Sequence, residues 1–299
     1  MSVLKPQVDC VVDAKATVAE CPVWSDAEQA LYWTDIYRCA LNRYDPSSGK
    51  NTFWQLPGPL GSFALRRNGG VLVALNTGLH FYDPKTNAIE PLVDPEMTVP
   101  DSRLNDGRCD RAGAFWVGSM KDPIEPYRAT SAFYRFAPDR TLKTMIPGTI
   151  VSNGLGFSPD NKKIYWADTH GTVRSVFVAD HDAADGTIAN KKLFIDTKNQ
   201  AGRPDGATID AQGCYWMAAV DSGSLQRYTP AGKLDLTVEL PPEIKWPTMP
   251  AFGGRNYDTL YFTTLRRHAL PPEGQGQSGG VFVTRVPGVQ GLPEPMFAG

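Results

Sequence analysis

Basic stripes, long apolar runs, paired cysteines and the common nucleophile and nucleotide motifs are all missing from this chain of 299 residues. Net charge is −2, and the 21% of residues that are charged mix both signs along the chain. That pattern offers no basic face to nucleic acid. No apolar run approaches the length of a membrane span, so no membrane partner is expected. Met1-Ser2-Val3-Leu4-Lys5-Pro6 has no signal-peptide core. The five cysteines, Cys10, Cys21, Cys39, Cys109 and Cys214, include no C-x-x-C pair. Both features point to free thiols in a reducing cytoplasm. No G-x-S-x-G elbow or Ser-His-Asp order stands out, and there is no phosphate-binding Gly loop or dinucleotide fingerprint. Nucleophilic and redox catalysis lose their usual carriers.

What is present is a repeat. Second-strand elements recur as Leu31-Tyr32-Trp33-Thr34-Asp35, Val71 to Ala74, Phe115-Trp116-Val117-Gly118, Ile164-Tyr165-Trp166-Ala167-Asp168, Tyr215-Trp216-Met217-Ala218 and Leu260-Tyr261-Phe262-Thr263. Third-strand elements follow at Leu41 to Tyr44, Leu79 to Tyr82, Phe133 to Phe136, Val173 to Val176, Leu225 to Tyr228 and Val281 to Val286. Gly, Asp, Asn and Pro punctuate them, as strands and turns require. The period is roughly 40 to 50 residues, which suits four-stranded propeller blades. The reading is an all-β, six-bladed β-propeller of four-stranded antiparallel blades, one domain over 1–299. Val8 to Asp13 is expected to close blade 6 as its outer strand, with the segment near Met296-Phe297 as the competing candidate. A partial helical turn is allowed only around Asp180 to Asp185. Trp24, Trp33, Trp116, Trp166 and Trp216 recur with the repeat and read as blade packing.

Strands within a blade run antiparallel, so each inner-strand start shares one end of the ring with the connection between strands two and three. The long insertions, Lys121 to Ser131 and Arg266 to Gly280, are of that type and become candidate lids. Three inner-strand openings carry Glu20, Asn153 and Asp205. Taken singly, Asn153-Gly154, Asp205-Gly206 and Asn105-Asp106-Gly107 are turn dipeptides. A turn requirement alone does not choose Glu, Asn and Asp in three copies while Ser62-Phe63-Ala64 stands in another. Two carboxylates and an amide suit hard divalent ions and leave positions open for water and substrate. Arg103 and Asn105 alternate in a strand and can face the axis together, where they would hydrogen-bond a polyol. The four histidines, His80, His170, His181 and His268, sit away from the openings and read as structural or surface residues. The residues thus favour metal-assisted hydrolysis.

In order along the chain stand Glu20-Cys21-Pro22-Val23-Trp24, Arg103-Leu104-Asn105-Asp106-Gly107, Gly118-Ser119-Met120, Ser152-Asn153-Gly154-Leu155, Tyr165-Trp166-Ala167-Asp168, Pro204-Asp205-Gly206 and Phe252-Gly253-Gly254. This set resembles the senescence-marker-protein, gluconolactonase and luciferin-regenerating-enzyme-like family of regucalcin-like sugar lactonases, from about Ala19 to about Pro287. The resemblance implies one divalent ion (Ca2+, Zn2+, Mn2+, Mg2+ or Fe2+) held by Glu20, Asn153 and Asp205. It implies substrate contacts from Arg103 and Asn105, and hydrolysis of an aldono-1,4- or 1,5-lactone to the aldonic acid. In that scheme the metal polarises the carbonyl and Asp205 assists the attacking water. Two departures stand out. Cys21 follows Glu20 where relatives often have Gly. Asp122 is the candidate for an acidic residue that contacts substrate hydroxyls in some relatives. The expected partner is a small sugar lactone, and the expected state a monomer or weak homo-oligomer. Rival readings are an esterase or organophosphate hydrolase on the same propeller, and a non-catalytic calcium-binding propeller.

Overall fold

Short runs rich in β-branched and aromatic residues, each followed by a Gly-, Asp- or Asn-bearing turn, favour antiparallel hairpins. Each repeat accordingly becomes one sheet. The computed structural model describes residues 2–267 and 270–299; His268 lies outside the described residues. Six sheets form the blades of a closed propeller. Their inner strands are Ala19–Ser25, Leu60–Leu65, Ser102–Cys109, Ser152–Phe157, Pro204–Ile209 and Pro247–Gly253. Inner strands are buried along almost their whole length, while the outer strand Lys50–Gln55 alternates between half-buried and exposed positions. The inner strands are covered on both faces by neighbouring blades, so their sequences show no hydrophobic alternation.

The core is a ring of inter-blade layers. Trp33, Trp116, Trp166 and Trp216, one from each of four second strands, are at most 1% exposed. Two of them are fixed by the turn that precedes them. Asp110 Oδ1 accepts from the Ala112 and Ala114 amides, and its Oδ2 accepts from the Trp116 indole N–H. Asp210 does the same for Gln212, Cys214 and Trp216. One carboxylate therefore sets both a hairpin and a core rotamer. All five cysteines are unpaired. Among the described residues, no helix is long and apolar enough to cross a membrane.

Ring closure follows the first of the two expectations. Asp9–Val12 pairs antiparallel with Val281–Thr284 as the outer strand of blade 6. Ser2–Leu4 adds a parallel fifth strand to blade 5, beside Leu234–Glu239, an addition the sequence pattern does not signal. The Met296-Phe297 segment does not close blade 6. It straps the ring elsewhere: the Phe297 amide donates to Leu65 O and its carbonyl accepts from the Arg67 amide. The fully buried Phe297 ring packs against Phe81 and Phe136.

Other expectations need correction. Asp180 belongs to the strand Ser175–His181, and residues 183–185 form a plain turn. Among the described residues, the one helical segment is the 3-10 turn Pro272–Gln275 in the second insertion. The third strand of blade 4 starts at Ser175 and not at Val173, because the Val173 and Arg174 amides both donate to His170 O in a tight turn. We predict that Phe297→Ala, which opens a cavity under blades 2 and 3, costs about 3–5 kcal/mol. Chemical denaturation measures it; a loss below about 1 kcal/mol would show that the strap is not part of the core.

Candidate active site

Every inner strand loses register once against its neighbour. The breaks fall between Glu20 and Val23, Leu60 and Ser62, Leu104 and Gly107, Asn153 and Gly156, Pro204 and Ala207, and Pro247 and Pro250. A β-bulge re-aims side chains and ends regular pairing. Glu20, Asn105, Asn153 and Asp205 all stand in or at the edge of these bulges, around one axis. Residues after two of them are left-handed: Gly154 at φ 65° and Cys21 at φ 48°. At Gly154 a Cβ would come within 2.5 Å of the Tyr215 hydroxyl. At Cys21 a side chain is tolerated, with Sγ 3.8 Å from Phe63 O and 3.9 Å from Gly107 O. Burial pushes the Cys21 thiol well up from its ordinary value, so it is a packed thiol and not a nucleophile.

The four residues open onto a cavity of about 800 Å³. Its wall is built from connections between second and third strands: Ile36 and Tyr37 in blade 1, Asp122 to Glu125 in blade 3, Thr169 to Thr172 in blade 4, Val220 in blade 5, and Leu265 and Arg267 in blade 6. The long insertions and the polar openings thus share a face. Short connections contribute as much wall as the insertions do.

One hydrogen-bonded chain crosses the floor. Arg103 Nε donates to Asp122 Oδ2 at 2.9 Å, and its Nη1 donates to Asn105 Oδ1 at 2.7 Å. Asn105 Nδ2 donates to Ser152 O and to Asn153 Oδ1, each at 3.0 Å. Asn153 Nδ2 donates to Asp205 Oδ1 and to Thr169 Oγ1, each at 2.8 Å. The Tyr37 hydroxyl donates to Asp122 Oδ2 at 2.9 Å. Arg103, Asn105, Asp122, Asn153 and Asp205 are therefore one network. Glu20 lines the same cavity but, among the described residues, accepts only from the Cys21 amide, at 2.7 Å.

The electrostatics are unusual for so buried a place. Glu20 and Asp205 are each 8% exposed and Asp106 is 3% exposed. Among the described residues, neither Glu20 nor Asp205 is in a salt bridge; Arg103 and Arg203 act on them only at longer range. Burial, then the charges of Asp205 and Asp106, raise the Glu20 carboxyl well above its ordinary value. Asp205 is pushed up to about 7, first by burial, with Arg203 opposing and Asp106 reinforcing the shift. Asp106 accepts from the Leu155 amide through Oδ2, and its Oδ1 has no partner among the described residues. Uncompensated buried carboxylates cost several kcal/mol each. A hard divalent cation among them removes that cost, so the donor set of Glu20, Asn153 and Asp205 fits such an ion.

Asp106 reads as a turn residue in the Asn105-Asp106-Gly107 pattern. It lies within the strand Ser102–Cys109, as do Asn153 and Asp205 within theirs. Tyr37, Thr169 and Arg203 were not anticipated at the cavity, because they come from connections too short to look like binding loops. His170 also lines it, with Nδ1 2.8 Å from Thr172 Oγ1 and its ring against Tyr127. His80 and His181 bind the backbone carbonyls of Gly78 and Asn161 and are structural.

Comparison with known proteins agrees with this architecture. The chain is 40% identical to a 6-deoxy-6-sulfogluconolactonase of Pseudomonas putida over 292 residues, 97% of this chain and 98% of that protein. It is 36% identical to an L-arabinolactonase of Azospirillum brasilense over 295 residues, covering 98% and 96%. A calcium-binding regucalcin from Agrobacterium tumefaciens superposes with TM-score 0.91 at 27% identity, over 99% of both chains. The SMP-30/Gluconolactonase/LRE-like pattern itself runs through residues 18–266, which contain all six inner strands and every residue of the floor network, and the chain belongs to that family.

Proposed function

We propose that the protein is a metal-dependent sugar lactonase that hydrolyses an aldono-1,4- or 1,5-lactone to the aldonic acid. The observation that carries this reading is the pair Glu20 and Asp205, buried without a counter-charge beside a neutral amide, in a cavity that Arg103, Asn105 and Asp122 also line. Relatives named as lactonases of two different sugars support the substrate class. Glu20, Asn153 and Asp205 would hold the divalent ion, which when bound supplies Lewis acidity toward a lactone carbonyl. Ca2+, Zn2+, Mn2+, Mg2+ and Fe2+ all accept such oxygens; the related regucalcin is described as calcium-binding.

Arg103 Nη2 supplies N–H donors for ring hydroxyls and Asn105 Oδ1 can accept from one, and their mutual hydrogen bond fixes both before substrate arrives. Asp122 accepts from Arg103 Nε and lines the cavity, within reach of a substrate hydroxyl. Asp205 takes the proton of the attacking water. That water adds to the lactone carbonyl carbon, the ring C–O bond breaks, and the departing oxygen is protonated as a hydroxyl. A carboxylate held beside the reacting carbonyl can accept that proton and return it to the departing oxygen. Unpaired cysteines fit a cytoplasmic setting. Exposed large apolar residues such as Phe53, Met97 and Leu193 lie on different blades, which fits a monomer or weak oligomer.

Three outcomes test the reading. Lactone opening, followed as acid release, should vanish on chelation and return with a divalent ion. Asp205→Ala should lower kcat by about a thousandfold. Metal binding with no turnover on any lactone or ester would favour the calcium-binding rival. Asp122→Asn should raise KM for polyhydroxylated lactones about tenfold while leaving metal affinity in place; an unchanged KM removes Asp122 from the substrate site. The third is a pH effect. A carboxyl whose folded pKa is raised binds its proton more tightly folded than unfolded, so stability falls as pH rises from about 4 to about 7. In chelator, wild type should lose more Tm than Asp205→Asn between pH 5 and pH 8, and added divalent ion should restore it most at pH 8. Parallel losses in the two proteins would refute the burial argument.

A further inference from the structure

Two further arginines line the cavity away from the floor network. Arg203 Nε donates to Asp221 Oδ2 at 2.6 Å, and Arg267 Nη2 donates to the other oxygen of the same carboxylate. Arg203 and Arg267 line the cavity, whereas Asp221 does not. Two guanidiniums on one carboxylate leave a net charge of +1 at this edge of the mouth. Each guanidinium offers five N–H groups, and among the described residues Asp221 is the sole side-chain hydrogen-bond acceptor for either. The Arg267 guanidinium also lies 5.3 Å from the centre of the Trp246 ring, which restricts its swing. Neither group is needed for the floor network, and none of the neutral sugar hydroxyls demands a full positive charge.

Position makes the cluster a substrate feature. Arg203 precedes the inner strand Pro204–Ile209 and extends its ladder, since the Val220 amide donates to Arg203 O. It stands two residues from Asp205 on the same extended segment, a separation of roughly 6–7 Å between Cα atoms. That is comparable to the reach from the lactone carbonyl to a substituent at the far end of a hexonolactone. Resting on the lactonase reading, we propose that Arg203 and Arg267 form an oxyanion-binding wall. On this proposal the preferred substrates are aldonolactones with a monoanionic group, a sulfonate or a carboxylate, on the carbon farthest from the lactone carbonyl. One negative charge matches the surplus of one. A phosphate dianion would leave a second charge facing Glu20 and Asp205, which disfavours it. The side chains of Arg203 and Arg267 are 31% and 42% exposed, so the attraction is screened by salt.

The test compares kcat/KM for four lactones: gluconolactone, 6-deoxy-6-sulfogluconolactone, glucarolactone and 6-phosphogluconolactone. Wild type, Arg203→Gln, Arg267→Gln and Arg203→Lys are assayed at low and high ionic strength. Wild type should favour the sulfonate or the carboxylate over gluconolactone by about tenfold, through KM, and less so at high salt. That ratio should collapse toward one in both Gln variants and survive in part in Arg203→Lys. The sulfonate and carboxylate arms separate the two sources of the charge. Equal use of neutral and anionic lactones, a ratio that survives both Gln variants, or a preference for the phosphate overturns the wall. If no lactone opens, the lactonase reading has failed separately. Calorimetric titration with 6-deoxy-6-sulfogluconate and gluconate then decides the wall: tighter sulfonate binding lost in Arg267→Gln supports it, and equal binding overturns it.

Discussion

Burying Glu20 and Asp205 at the propeller axis without an ion pair costs several kcal/mol per charge, and much of the surrounding structure makes sense as a response to that cost. Asn153 offers its amide to Asp205, and Asn105 orients Asn153. Arg103 orients Asn105 and lends a distant positive field to Glu20. Nothing in the network neutralises the pair. Natural cores seldom keep such charge unless it serves binding or chemistry, and a divalent ion is the simplest group that balances two carboxylates. The same arithmetic explains the raised carboxyl at Asp205 in the metal-free site.

The fold supplies this arrangement through a repeated irregularity. Pairing alone would direct alternate side chains of each inner strand into the inter-blade layers. The bulge in every inner strand breaks that alternation, and in four of the six it brings Glu20, Asn105, Asn153 or Asp205 to the cavity. The cost is local. Cys21 sits left-handed at about 1–2 kcal/mol, where Gly154 occupies the corresponding conformation freely. Rigid blade cores behind the bulges hold the network still: the buried tryptophans, the Asp110 and Asp210 turns, and the strap ending in Phe297. Variation is left to the connections that make the cavity wall.

The blades were legible in the sequence because their signals are local: aromatic pairs in second strands, Asp and Gly in turns, alternation in the closing strand at Asp9–Val12. Glu20, Asn105, Asn153 and Asp205 were legible as odd residues in repeated positions. Other features depend on partners far along the chain. Register breaks are invisible without the neighbouring strand, so Asp106 reads as a turn residue although it is buried in a strand. Ser2–Leu4 is too short to show a period, and its pairing with Leu234–Glu239 spans nearly the whole chain. Phe297 carries no sign of the blade 2 and blade 3 residues it will meet. Arg203 and Arg267 gain meaning only once Asp221 joins them.

If Glu20 and Asp205 share one divalent ion, they must give up protons to bind it. Calorimetric titration of the chelator-stripped protein at pH 6, in two buffers of different ionisation enthalpy, reads both quantities at once. One ion per chain should bind with release of a sizeable fraction of a proton, the release shrinking at pH 8 and both binding and release failing in Glu20→Gln and Asp205→Asn. Binding of undiminished affinity in both variants, or binding with no proton released at pH 6, would contradict it.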